Sequence, residues 1–395
     1  MTKNMFLILA VISVILLPCL AQGQGQSNRS AILIPDTSIE HLANIGVHAH
    51  TNHLIKYNPQ LTGTSPAGET PQSIYPVYNL TFTGSGGSAV IVIVDAFDYP
   101  TAENDLNVFS TQFGLPSCTT ANGCFKKVYA SGSKPRANCG WAQEAALDIE
   151  WAHAMAPNAK IVLVEAATNS FTNLFKAVDV ATKQIQQNGG IGEVSMSWGG
   201  SEFSSEASND GHFQNSGIVY FASSGDTGGA TIYPSASPYV VAAGGTTINR
   251  NSSGSFVSET GWSGSGGGPS KYEPKPSYQN NVANTSATQR SIPDFSFDAD
   301  PQSGVSVYDS TSCQGLSGWL VFGGTSVAAP ALAGIVNHAG SFSTSGIVEL
   351  TNMYNNYINN SDFRDITSGT AGSFNSGVGW DFVTGIGTNQ GLTGK

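Results

Sequence analysis

From about residue 88 onward, short apolar runs alternate with stretches of helical character. The runs AVIVIVD (89–95), KIVLVEA (160–166), EVSMSW (193–198), GIVYFAS (217–223) and YVVAAGG (239–245) are apolar at nearly every position, the pattern of strands buried on both faces. Between them, 102–113, 141–156, 171–188 and 203–214 have the spacing of helices. Strand, helix, strand repeated in this way predicts an α/β fold: a parallel sheet flanked by helices on both faces. Such sheets bind their ligands at the carboxyl ends of the strands. Residues 250–290 are rich in Gly, Ser, Asn and Pro and are expected to be loops.

The first 70 residues follow a different pattern. Lys3 precedes an apolar stretch from Met5 to Leu20 that ends at Ala21, which predicts a signal peptide over 1–21. An uncleaved anchor is the alternative, although the stretch falls short of the ~20 residues of a span. Residues 22–70 show weak periodicity and are expected to form a short leader or pro-segment, leaving 71–395 as the main domain. The leader carries His48, His50 and His53. Their spacing suits a metal, but no carboxylate or Cys partner is close in sequence.

Charged residues make up only 11% of the chain and the net charge is −11 with 16 Lys+Arg. That excludes the basic surface that neutralises phosphates, so no nucleic-acid partner is expected. A chain with so few charges loses little when its carboxylates protonate, which suits acid conditions. Without Cys19, the remaining Cys118, Cys124, Cys139 and Cys313 allow three pairings. The short loop between the first two makes them the natural local pair and leaves Cys139 with Cys313. Their spacing does not suggest zinc.

Chemistry concentrates in a few places. The stretch GWAQEAALDIEWAHAMAP (140–157) has the all-round apolarity of a buried helix, yet it carries Glu144 and Asp148 one turn apart. Like charges at that spacing push their pKa values apart, an arrangement for acid/base work; an exposed stripe that includes Glu150 is the alternative. His153 lies about half a turn round the helix from Glu144 and does not join the pair. In GGTSVAAPALAGIVNHAG (323–340), Ser326 stands at the start of an apolar helix, either as a simple N-cap or as a nucleophile near the helix dipole. In FASSGDTGG (221–229), Asp226 follows a strand, either in an Asx-turn or facing an oxyanion, which it could assist only when protonated.

Taken in this order, Glu-x-x-x-Asp on a helix, Ser-Gly-Asp-x-Gly after a strand and Gly-Thr-Ser-x-Ala-Ala-Pro resemble the sedolisin family of serine-carboxyl peptidases, relatives of the subtilisins that work in acid. The resemblance runs from about Thr70 to the C-terminus. It implies a subtilisin-like fold with Ser326 as nucleophile, Glu144 as general base, Asp148 as the partner sharing its proton and Asp226 as the oxyanion stabiliser. It also implies one structural Ca2+ held by Asp365, Ile366, Gly377, Gly379 and Asp381, and SMSWGG (195–200) as the strand on which an extended peptide is laid. Trp141 and Trp198 either line that groove or are buried core aromatics. No His-Gly-x-His follows the strand ending in Asp95, which disfavours a neutral-pH subtilisin. Many sedolisins have a large folded pro-domain, whereas here only about 50 residues separate the signal from the main domain. A short leader that is still cut in acid, its histidines sensing pH, is one expectation. The whole describes a secreted, monomeric endopeptidase acting on proteins or peptides at acidic pH, free of the membrane once the signal is removed. An inactive homologue or a secreted binding module is the alternative.

Overall fold

The computed structural model describes residues 31–58, 63–359 and 361–395; the expected signal peptide lies outside them. Parallel strands run in the spatial order Phe125–Tyr129, Lys160–Ala166, Val90–Ala96, Gly192–Met196, Ile218–Ser223, Val240–Arg250 and Phe295–Asp298. The strand Val90–Ala96, first in sequence among these, therefore lies inside the sheet, and the strand order reverses beside it. Its side chains explain the unbroken apolar runs. Ile91 and Ile93 point into the core shared with helices Cys139–Met155 and Thr325–Ala339. Val90, Val92 and Val94 point the other way, toward helix Phe171–Gln187. Successive residues face opposite sides, and here both sides are covered.

The expected elements at 102–113 and 160–166 are found with those boundaries. The strand expected over 239–245 continues to Arg250, and three regions differ in kind. Residues 203–214 do not form an α-helix; they make a 3-10 helix over Glu206–Phe213, where Asn209, Asp210 and Gly211 disfavour a longer element. The run 193–198 ends as a sheet strand at Met196, and Trp198–Ser201 leaves for a small separate sheet. Within 250–290, strands Phe256–Gly261 and Gly268–Pro274 replace the expected loops. The first folds back on Val240–Arg250 through a turn in which Asn251 Oδ1 accepts from the amides of Ser253 (3.0 Å) and Ser255 (2.9 Å).

The N-terminal segment is built into this body. Ala31–Leu33 and Leu54–Tyr57 join Val305–Cys313 and Leu316–Gly323 in a four-stranded antiparallel sheet, and His50–Thr51 pairs with Trp198–Gly199. Disulfides join Cys118 to Cys124 and Cys139 to Cys313, with Cα separations of 4.8 and 5.2 Å. Among the described residues, no helix is long and apolar enough to cross a membrane.

Candidate active site

Two helices and two strand ends build the site. The Asn138 side chain accepts from the amides of Gly140 and Trp141 and so starts the helix Cys139–Met155. Its apolar composition buries it from residue 140 to its end, carrying Glu144 and Asp148 inward with it. Both are 0% exposed, which overturns the exposed-stripe alternative. Glu150 is buried too but turns away, accepting from the amide of Tyr308 at 3.0 Å. His153 Nε2 lies 2.9 Å from Pro116 O, and burial holds its pKa down at about 4. It sits beside Cys118 and Cys124, but those sulfurs are bonded to each other.

Asp148 has no hydrogen-bond partner on either carboxylate oxygen. Burial first, then the charges of Asp95 and Glu144, hold its pKa well above the ordinary range. Asp95, the polar residue near the end of the central strand, is likewise buried and unpartnered. Burial and the charges of Glu144 and Glu165 push it in the same direction. In this arrangement each carboxylate raises the cost of ionising the next, so the cluster keeps protons that isolated acids would lose.

Ser326 lies in the first turn of helix Thr325–Ala339, fully buried. Its hydroxyl donates to Ser197 O at 3.3 Å, and its amide points at the carbonyl of Asn52 (3.0 Å). Gly324 precedes the helix at φ 98°, where a β-carbon would collide with Asn52 O and Asp226 Oδ2. Only glycine lets these two oxygens approach the same backbone. Asp226 Oδ1 accepts from the Thr325 amide (2.7 Å) and hydroxyl (2.9 Å), while Oδ2 has no partner. Burial pushes the Asp226 carboxyl up to about 8 against the opposing pull of the Thr325 bonds. Below that pH it is a neutral acid with an O–H to donate.

The site also holds residues of the N-terminal segment that the sequence did not place there. Glu144 Oε2 accepts from the Asn52 amide at 3.1 Å and lies 2.9 Å from His53 Nδ1. Trp198 and Trp141 are nearly inaccessible; Trp198 Nε1 donates to Val94 O at 2.7 Å, and Trp141 packs on Phe97. Trp198 is a core aromatic, whereas Trp141, though nearly inaccessible, lines a cleft with Phe97, His48 and His50.

A model of the subtilase family matches residues 134–387, well over half of the chain. The chain belongs to this family, on its sedolisin branch. It is 25% identical over 371 residues to Sedolisin from Pseudomonas sp. (strain 101), covering 83% of this chain and 61% of that protein. It is 33% identical over 284 residues to Kumamolisin from Bacillus sp. (strain MN-32), covering 63% of this chain and 49% of the relative. The chain thus spans less than two thirds of the length of these relatives. Among solved structures, Pseudomonas sedolisin, a serine-carboxyl proteinase complexed with two molecules of pseudo-iodotyrostatin, superposes with a TM-score of 0.66 at 25% identity, covering 83% of this chain and 96% of that one. Sphericase shares the fold with a TM-score of 0.52 at 19% identity, covering 83% of this chain and 99% of that one.

Within this sedolisin-like chain, the C-terminal residues expected to hold calcium lie together. The Gly379 amide donates to Asp365 Oδ2 (2.9 Å) and the Gly377 amide to Asp381 Oδ2 (3.1 Å). Asp381 Oδ1 also accepts from the amides of Val383 (2.8 Å) and Thr384 (2.9 Å), and burial raises its pKa to about 6. Among the described residues, no hydrogen bond reaches the carbonyls of Ile366, Gly377 or Gly379. Two carboxylates and free carbonyls make an all-oxygen donor set of the kind a hard cation needs. Asp95 is the member of the carboxylate cluster that sequence reasoning left out. Its signal was a lone acid at the carboxyl end of an otherwise apolar strand.

Proposed function

We propose that the protein is a secreted serine-carboxyl endopeptidase that hydrolyses peptide bonds of proteins at acidic pH. The observation that carries this reading is the gathering of three groups around Asn52: Glu144 Oε2 accepts from its amide, the Ser326 amide donates to its carbonyl, and that carbonyl and the unpartnered Oδ2 of Asp226 crowd the same side of Gly324. A nucleophile, a base and two oxyanion donors are what acyl transfer requires.

In this mechanism Glu144 takes the proton of the Ser326 hydroxyl as it attacks the carbonyl carbon. An ordinary Glu ionises near pH 4.3, so it remains a base where imidazole is already charged. Asp148, kept protonated by its burial and by Asp95 and Glu144, adds no charge of its own to the turn that carries the base. The oxyanion forms between the Ser326 amide and the protonated Asp226, both in place beforehand, so little reorganisation accompanies charge development. Collapse of the intermediate returns the proton from Glu144 to the leaving amine, and water then releases the acyl group from Ser326 by the same route.

A calcium ion held by Asp365, Asp381 and the carbonyls of Ile366, Gly377 and Gly379 would tie the C-terminal loops together. Its chemistry there is coordination only. The enzyme acts as a monomer, outside the cell once residues 1–21 are removed. The direct test is hydrolysis of an unfolded protein at about pH 4 by the wild type and by Ser326→Ala, where the variant should lose about 10^4-fold or more. Equal cleavage by both would refute the assignment of Ser326.

A further inference from the structure

Away from the catalytic cluster, four carboxyl groups gather where the strand Trp198–Ser201 ends. Glu202 directly follows that strand, Glu206 and Asp210 belong to the 3-10 helix Glu206–Phe213, and Glu273 comes from Gly268–Pro274. All four are buried. Glu202 ties three segments together. Both of its oxygens accept from the Lys271 amide at 3.1 Å, Oε1 also from the Ser270 hydroxyl and Oε2 from the Thr231 hydroxyl. Thr231 precedes the short strand Ile232–Tyr233, which pairs with Ser201 and Gly200. The loop from Asp226 to Thr231 is joined in turn to the chain ahead of Gly268: the Gly229 amide donates to Ser265 O (3.0 Å) and the Gly267 amide to Ala230 O (2.9 Å). The strand expected to carry a peptide and the loop that carries Asp226 therefore meet at Glu202.

The bases around this cluster are committed elsewhere. Arg290 faces Glu273, but its guanidinium is held by Asp294 through Nη1 (2.7 Å) and Nη2. His212 turns outward to Asp179 (2.7 Å), and Lys271 is exposed. The hydroxyls of Tyr233 (3.0 Å) and Ser237 (2.7 Å) both donate to Asp210 Oδ1, and Tyr278, also near Asp210, donates to Pro238 O (2.9 Å). Glu206 and Glu273 are 0% and 1% exposed, yet each keeps one oxygen, Oε1, without a donor. What each has beside it is another carboxyl: Glu206 lies within hydrogen-bonding reach of Glu202, and Glu273 of Asp210. Two carboxylates only accept and cannot bond to each other, whereas a carboxyl and a carboxylate share one proton. Burial first, then the neighbouring carboxyls, push Glu206 up to about 9 and Glu273 to about 7.

We propose that Glu206 and Glu273 are positioning residues: each, as a neutral acid, donates to the carboxylate beside it, Glu202 or Asp210, and together they hold the strand Trp198–Ser201 and the Asp226 loop in register for a bound peptide. The hold on the chain stands by itself; its effect on peptide binding rests on the serine-peptidase reading above. Loss of either proton leaves two anions in one buried place, and Arg290 is already occupied by Asp294. An acid with a raised folded pKa stabilises this arrangement fully below its unfolded value, near pH 4.3. Its contribution is lost as pH rises through about 7 for Glu273 and about 9 for Glu206. The strand is therefore firm in acid and loosens on the alkaline side, without any change at Ser326, Glu144 or Asp148.

The experiment is amide hydrogen exchange on the full chain carrying Ser326→Ala, so that it does not digest itself, with and without Glu206→Gln and Glu273→Gln together. Glutamine donates a hydrogen bond at every pH. Protection is read against the free-peptide rate at each pH. The amides of Gly200, Ser201 and Tyr233 should lose at least about tenfold in protection between about pH 5 and about pH 9, while those of Ile91–Val94 hold theirs. The glutamine variant should keep its protection across that range. In chains with Ser326 intact, KM for one peptide should be equal for both at about pH 4 and at least about fivefold lower in the glutamine variant at about pH 7.5, with kcat the same in both. Protection that does not fall in the parent chain, a comparison that needs no folded variant, overturns the proposal and leaves the peptidase reading in place; so does an equal fall in both chains. A chain that behaves as expected in exchange but cleaves nothing at any pH removes the peptidase reading and not the hold on the strand.

Discussion

Asp148 and Asp381 are both withdrawn from solvent, yet their surroundings are opposite. Asp381 is well partnered: amides of Gly377, Val383 and Thr384 converge on its two oxygens and fix the turn that carries it. Asp148 has no well-formed hydrogen bond on either oxygen, only the Ser197 side chain nearby, and faces Asp95 and Glu144, groups of its own charge type. Buried polar groups are ordinarily satisfied, so an unsatisfied one marks stored capacity rather than scaffolding. The difference separates a carboxylate that shapes the chain from one that manages protons.

The largest expected effect breaks this comparison on the catalytic side. Asp148→Asn should lower kcat at about pH 4 by about 10^2-fold, whereas Asp381→Asn should stay within about twofold. Steady-state kinetics on one peptide decides the matter, and equal losses would show that the contrast carries no chemistry. Next in size, Asp226→Ala should lower kcat by about 10^2-fold or more with little change in KM, as expected for an oxyanion donor. Asp226→Asn keeps a donor at every pH, so any alkaline limb that follows the Asp226 carboxyl, near pH 8, should move upward or vanish in that variant.

Stability sharpens the contrast across the whole molecule. Burial raises Glu193 to about 8 and Glu206 to about 9 in the folded chain. An acid with a raised folded pKa contributes stability that is fully present below its unfolded value, near pH 4.3, and is lost as pH rises through its folded value. His153, lowered to about 4, acts in the opposite sense: its contribution is present above pH 6.5 and is lost as pH falls through about 4. The raised carboxyls outnumber it, so thermal melts should show the highest Tm in mild acid and a fall between about pH 5 and pH 9. A Tm that rises over that range would contradict the account. Smallest is the C-terminal loop, where a chelator should lower Tm by a few degrees in the wild type and less in Asp381→Asn. An unchanged melt would remove calcium from the proposal.

Much of the scaffold was legible in the sequence because its strands are covered on both faces. KIVLVEA shows as a strand without alternation for that reason, and the helix around Glu144 shows as buried because it lacks a polar face. The strand Phe256–Gly261 was hidden because an edge strand needs few apolar residues and its pairing rests on Val240–Arg250, which continues past the apolar run. The path of His48 to Tyr57 through the site was hidden more deeply. Its contacts are backbone pairings over a few residues with partners far along the chain, and such pairing leaves almost no pattern in side-chain type. Ser326, Glu144, Asp148 and Asp226 were visible as motifs, but Asp95 joins them only through the strand order that places Val90–Ala96 inside the sheet.

The central claim is that a carboxylate, Glu144, serves as base to Ser326. It is tested most directly by kcat/KM against pH for the wild type and Glu144→Gln on one peptide substrate, from about pH 3 to above about pH 8. The account predicts wild-type activity that is present at about pH 4 and is lost as pH rises through the Asp226 value near 8, with a loss of about 10^3-fold or more in the variant wherever the wild type is active. A variant that retains the wild-type profile, or a wild type inactive at about pH 4 and fully active above about pH 8, would contradict it.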